Sequence, residues 1–162
     1  MFLNWRFLQP KARGVHLYNT KSKKKEILKP LKAPHVSIYS CGPTVYGPVH
    51  VGNLRAYVFA DTLHRTLTLA GYKPKHVINI TDVGHIVDDA DLGDDKIEKE
   101  AAKQKRSAKE ITEEYTQAFM DDLDALNIVR GRYHFPKATD HITEQIEIIE
   151  ALEEKGHTYK TK

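Results

Sequence analysis

The 162 residues include one cysteine, one tryptophan and two methionines, and they hold no apolar run long enough to cross a bilayer. Each scarcity removes a class of answer. The lone Cys41 excludes an intrachain disulfide framework. Without an apolar run of about 20 residues, no membrane-spanning helix and no membrane partner is expected. No cleavable signal pattern opens the chain: Met1–Leu8 carries Phe2, Leu3, Trp5, Phe7 and Leu8, but Asn4 and Arg6 interrupt it, and it reads as a capping extension. A strong net charge is also lacking, with 25 basic against 22 acidic residues, so contact with phosphate is permitted but nucleic-acid binding does not follow from charge. These absences leave a cytoplasmic protein whose length suits one domain, with no internal repeat or low-complexity tract.

The patterning that remains is of the α/β kind. Val15–Asn19 predicts a strand, and the charged run Lys21–Lys25 suits a solvated hairpin turn before Glu26–Leu28, a reading favoured over a nucleic-acid-binding patch. Pro30 and Pro34 mark a loop. His35–Ser40 predicts a short strand ended by Gly42 and Pro43, so that its C-terminal end delivers Cys41. Gly47, Pro48 and Gly52 are expected to keep the next stretch out of a helix. Leu54, Val58, Leu63, Leu67 and Leu69 then recur at helical spacing up to the stop at Gly71. His76–Ile80 predicts a buried strand, completing a βαβ unit of a parallel sheet. Such units place ligands at the C-terminal strand ends.

Past Thr81 comes an acidic, glycine-containing loop, followed by one long helical region to about Asn127 with Ile111, Tyr115, Phe119, Leu123 and Leu126 on an apolar face. Pro136 interrupts it. Thr139 offers an N-cap for a last helix carrying Ile142, Ile146, Ile149 and Leu152 and stopped by Gly156. His157–Lys160 has the look of a further strand beginning.

The stretch Tyr39–Asn53 concentrates the chemistry. It runs Tyr-Ser-Cys-Gly-Pro-Thr-Val-Tyr-Gly-Pro-Val-His-Val-Gly-Asn straight into a helix, whose N-terminus presents unpaired amides and a partial positive charge on which a phosphate can settle. His50 stands just before that terminus. Gly52 removes a side chain where a nucleotide needs close approach, and Asn53 adds a neutral donor. Taken from the residues alone, His50 also suits a loop histidine capping the helix, Cys41 a buried small hydrophobe, and Asn79–Thr81 a turn closing a strand.

His50-Val51-Gly52-Asn53 resembles the His-Ile-Gly-His signature of class I aminoacyl-tRNA synthetases. With Cys41-Gly42-Pro43-Thr44-Val45-Tyr46 before it and Asn79-Ile80-Thr81-Asp82 after it, the text resembles the cysteinyl-tRNA synthetase family in particular. Phe59-Ala60-Asp61, Gly71-Tyr72 and Asp124-Ala125-Leu126-Asn127-Ile128 extend the likeness, which covers about Val15 to Tyr159. The resemblance implies a Rossmann-type (HUP-like) parallel sheet with flanking helices, residues 1–162 being the N-terminal portion of a class I catalytic domain. The second half, the Lys-Met-Ser-Lys-Ser loop and the anticodon-binding domain would be absent, so the chain by itself would be inactive, and a full-length protein would be a monomer.

By the same resemblance the activity is adenylation of L-cysteine by ATP with Mg²⁺, followed by transfer to tRNA(Cys). His50 and Asn53 would steady the α-phosphate, and Gly42, Pro43, Thr44, His50, Gly52, Asn53, Asn79, Ile80 and Thr81 would line the nucleotide and amino-acid site. Cys41 would be the first of four protein ligands to Zn²⁺. That ion is borderline-soft, so a substrate thiol ligates it where a serine hydroxyl competes poorly. Asn53 departs from the second histidine of the signature: it donates a hydrogen bond but carries no positive charge. A cysteine ligase of the mycothiol-biosynthesis type shares this adenylation core, and a catalytically silent nucleotide-binding or interaction role is the alternative from a different class. The family's Asp-Asp-Lys-Ile is displaced to Asp94-Asp95-Lys96-Ile97 by the segment Gly84–Gly93, which fits an insertion of about ten residues. Its Asp88, Asp89 and Asp91 do not match the calcium-loop register, and His85 with Asp88 suits a solvated loop better than a metal.

Overall fold

The computed structural model describes residues 14–84 and 96–159. The opening apolar stretch, the acidic insertion beyond Gly84 and Lys160 lie outside the described residues. Two compact units emerge, one from the chain up to Ser40 with His50–Val77 and Asp121–His134, the other from Cys41–Val49, Ile78–Met120 and the chain from Phe135 onward.

In the first unit, β1 (His16–Asn19) and β2 (Lys24–Ile27) form the expected antiparallel hairpin, although Lys24 and Lys25 belong to the second strand rather than to the turn. β3 (His35–Ser40) matches its predicted bounds, and β4 (Lys73–Ile78) starts earlier than the sequence suggested. With β5 (Tyr133–His134) they form a three-stranded sheet in the order β3-β4-β5, and β5 pairs parallel to β4 through His76–Tyr133 and Val77–His134. β5 was not foreseen, because two residues are too few to show an alternation. Val36, Leu67, Ala70 and Tyr72 form a buried cluster, with Val15, Leu28, Ile38 and Leu63 packed on it.

Helix α1 spans Val51–Leu69, so Gly52 lies inside its first turn and does not keep that stretch non-helical. Its buried face also differs from the leucine stripe. Tyr57, Ala60, Asp61, His64 and Leu67 are buried, whereas Val58 is 42% and Leu69 86% exposed. An apolar count misplaced the face because two of its buried members are polar: Asp61 accepts from the Tyr133 hydroxyl, and His64 lies beside the rings of His76 and Tyr133.

The long helical region divides into α2 (Lys96–Gln104) and α3 (Ala108–Ala125). Lys105 takes a left-handed φ of 55°, which ends the first helix. Ser107 then restarts the second: its hydroxyl accepts from the Glu110 N–H at 3.2 Å while the Glu110 carboxylate accepts from the Ser107 N–H at 2.9 Å. Along α3, Ile111, Phe119 and Leu123 are buried as predicted, but Leu126 is exposed.

Within the second unit the backbone of Ile80 and Thr81 runs between two neighbours. Thr81 pairs parallel with Thr44, and Ile80 parallel with Lys137. Phe119 and Phe135 meet edge to face at 6.3 Å, and Ile78 and Ile80 of the same unit are buried. Helix α4 (Ile142–Glu154) carries the expected isoleucines, yet none of its residues is buried. Its N-cap is His141, not Thr139, which lies in a 3-10 turn over Ala138–His141. His157–Tyr159 is not a strand. No helix among the described residues is long and apolar enough to cross a membrane.

Candidate functional site

The start of α1 is tied by two reciprocal bonds. His50 has extended backbone, φ −102° and ψ 168°, as an N-cap requires. Its Nδ1 accepts from the Gly52 N–H at 3.0 Å, and the Asn53 Oδ1 accepts from the His50 N–H at 3.2 Å. A lone pair on Nδ1 means that the proton of the neutral ring sits on Nε2. The cap therefore sets the tautomer, leaving Nε2–H as a donor on an exposed side chain. Asn53 uses its oxygen in the cap, which leaves its amide nitrogen free to donate. The glycine has a reason the sequence did not disclose: a Cβ on Gly52 would lie 2.8 Å from Cε1 and 2.9 Å from Nδ1 of His50.

The second unit gathers Gly42, Pro43 and Thr44 with Asn79, Ile80 and Thr81. The Gly42 N–H donates to the Asn79 Oδ1 at 2.8 Å, and the Asn79 amide donates to the Thr81 Oγ1 at 3.0 Å. The Thr81 N–H donates to the Pro43 carbonyl at 3.0 Å, and the Val45 N–H to the Thr81 carbonyl at 3.1 Å. A Cβ on Gly42 would stand 1.5 Å from the Asn79 carbonyl oxygen, so this crossing of backbones admits only glycine. The side chain of Ile80 is 1% exposed. Its N–H donates to the Pro136 carbonyl and its carbonyl accepts from the Ala138 N–H, so it braces the strand end.

Cys41 is exposed, not a buried hydrophobe. Among the described residues no three His, Cys, Asp or Glu side chains converge on a metal-sized space. A tetrahedral zinc takes four donors, so the residues present do not by themselves fit the ion.

Two arrangements escaped the sequence reading. Asp82 takes Thr139 through both carboxylate oxygens, from the N–H at 3.0 Å and the hydroxyl at 2.6 Å, which tethers the turn before α4 to the end of the Asn79–Asp82 segment. In the first unit a polar cluster joins Asp61, His64, His76 and Tyr133. Tyr133 donates to the Asp61 Oδ1 at 2.6 Å, Arg65 binds its Oδ2, and Ser40 meets the His76 Nε2 at 2.8 Å. The two imidazoles lie nearly parallel, with centroids 5.9 Å apart. Desolvation, then the bond to Asp61, pushes the Tyr133 phenol well above its ordinary range. Asp61 stood in a recognised stretch of sequence, but nothing in the text assigned it these partners.

The family model for the class I (C) tRNA synthetase catalytic domain matches residues 27–162. The chain belongs to that family. It is 50% identical over 146 residues to a cysteine–tRNA ligase of Treponema denticola, covering 90% of this chain and 30% of that protein. It is 48% identical to cysteine–tRNA ligase 1 of Burkholderia lata, covering 90% and 31%. With a cysteine–tRNA ligase of Chlorobium chlorochromatii the identity is 47%, covering 91% and 30%. The chain thus spans about three-tenths of the length of these curated relatives. Every site residue named above lies inside the matched span of this synthetase domain.

Proposed function

We propose that the chain contributes the nucleotide-binding part of an enzyme that activates cysteine with ATP and transfers it to tRNA(Cys). The observation that carries this reading is the cap at α1, which holds an imidazole N–H, a carboxamide N–H and the positive end of a 19-residue helix at one place. Such a cluster stabilises the charge that builds on an α-phosphate when a carboxylate attacks it in line. Gly52 permits it by clearing space for the ring. The names of the relatives supply the amino acid and the RNA.

Within the second unit, Gly42, Asn79 and Thr81 would shape an amino-acid pocket, through a backbone crossing too tight to relax. Ile80 would support it from beneath. Mg²⁺ would accompany the ATP. Cys41 would be one thiolate of a zinc site completed by donors other than the described ones; such an ion, when bound, selects a thiol over a hydroxyl. Compartment follows from substrates, so the cytoplasm is where this chemistry would run.

The test is ATP–pyrophosphate exchange in a protein of the relatives' full length carrying these residues. His50→Ala should lower adenylate formation by about 100-fold or more, with little change in cysteine binding. Equal effects on both would overturn the role given to the cap.

A further inference from the structure

Positive charge is concentrated on one small element. Between residues 16 and 32 fall six of the 25 basic side chains and one of the 22 acidic ones, so the rest of the chain carries a formal excess of two acids. A lysine-rich turn is ordinarily solvated surface, held loosely and balanced by nearby acids. This one is neither.

The only acid in that span, Glu26, is taken by neutral donors. Ser22 donates to one of its oxygens, and the Asn19 amide donates to the other at 3.0 Å. Those bonds, Ser22 first, hold its carboxyl below the usual range. The Asn19 Oδ1 in turn accepts from the Lys21 N–H at 3.0 Å, and Lys23 sits at a left-handed φ of 56°. The turn is therefore built from polar side chains that leave the ammonium groups unused: among the described residues Lys21, Lys23, Lys24 and Lys25 are exposed, and no ion pair links them to an acid. Lys24 and Lys25 point to opposite faces of the hairpin. Opposite Lys25 stands Tyr18, its cross-strand partner, with 61% of its surface open.

We propose that the Tyr18–Lys25 face of the β1–β2 hairpin is a docking surface for a single-stranded RNA segment, with Lys25 and the turn lysines Lys21 and Lys23 on successive phosphates and the Tyr18 ring under an unpaired base. Lysine heads and a neighbouring aromatic face are the two parts such binding uses. The inference rests on the proposed function only for the choice of RNA among polyanions, and it concerns a surface that holds none of the adenylation residues.

The experiment titrates the chain, without ATP or cysteine, against a labelled RNA of about 12 nucleotides between about 50 and 200 mM salt. Lys21→Gln, Lys23→Gln and Lys25→Gln together remove three charges while keeping unbranched polar side chains; they should lower the slope of log affinity against log salt by about 2. Tyr18→Ala should weaken binding by about fivefold or more and leave the slope unchanged. Lys103→Gln with Lys109→Gln, on lysines already paired to Glu100 and Glu113, should change neither. Should the triple variant misfold, acetylation footprinting of the unaltered chain serves instead, with Lys21, Lys23 and Lys25 protected by the RNA. An unchanged slope, absent protection, or tighter binding to phosphatidylserine vesicles than to RNA would overturn the proposal. Because adenylate chemistry is not read in this assay, its outcome is independent of the His50 test.

Discussion

The imidazole of His50 lies over the backbone of Gly52, near enough that one added carbon would stand 2.8 Å from the ring. Gly52→Ala should therefore turn the ring away and break its bond to the Gly52 N–H. Losing the cap costs about 1 kcal/mol, and replacing a helical glycine by alanine returns about the same. The expected result is a protein of nearly unchanged stability whose His50 no longer shows a single Nε2–H tautomer. Nitrogen chemical shifts of the ring measure this directly, and retention of the tautomer in the variant would mean that the cap does not set it.

Gly42 should tolerate far less. A methyl group there meets backbone and not a movable side chain, at 1.5 Å from the Asn79 oxygen and 2.7 Å from its carbon. Gly42→Ala should destabilise the chain by about 3 kcal/mol or more, the range reserved for changes with no room to relax. Asn79→Ala, which deletes the bonds to Gly42 and Thr81, should cost about 1 to 3 kcal/mol. Urea unfolding of the two variants gives the order, and a milder effect at Gly42 would contradict the geometry.

Stability should fall on mild acidification. The Nδ1 atoms of His64 and His76 are buried without a partner among the described residues. Burial pushes both imidazoles below their ordinary range; Arg132 and Arg65 add to the shift at His64 and His64 adds to it at His76, while Asp61 opposes it at both. The folded chain thus refuses protons that the unfolded chain accepts, so stability is at its full value above about pH 6.5 and declines as pH drops below it. Urea midpoints should agree at pH 8 and 7 and then fall through pH 6 toward 5. In a His64→Gln, His76→Gln protein the decline over that window should flatten, and an unflattened curve would place the acid sensitivity elsewhere.

Zinc should be held poorly by this chain. With one thiol and no convergent group of three donors among the described residues, the metal content after dialysis against a chelator should be well under one per chain. Tight stoichiometric zinc, lost in Cys41→Ser, would show that further donors join Cys41.

Much of this was legible in the text because local rules governed it. β3, the helix after His50 and the isoleucines of α4 follow from periodicity and from Gly and Pro punctuation. The break at Lys105 was hidden, since residues 101–110 are good helix formers and only the Ser107–Glu110 box signals a restart. The buried face of α1 was hidden for another reason. Asp61 looks like a surface residue until Tyr133, 72 positions away, supplies the hydrogen bond that makes its burial tolerable, and His64 until the rings of His76 and Tyr133 pack beside it.

The amino-acid order alone determined the family, the α/β class and the place where the first long helix begins, because those depend on neighbours a few positions apart. Only the folded chain decided that Gly52 makes room for a histidine ring, that Gly42 passes against Asn79, and that Asp82 holds Thr139. Each is a juxtaposition made by packing, a gap too small for a Cβ or a hydrogen bond of 2.6 to 3.0 Å, and such closeness is invisible in a string of residue types.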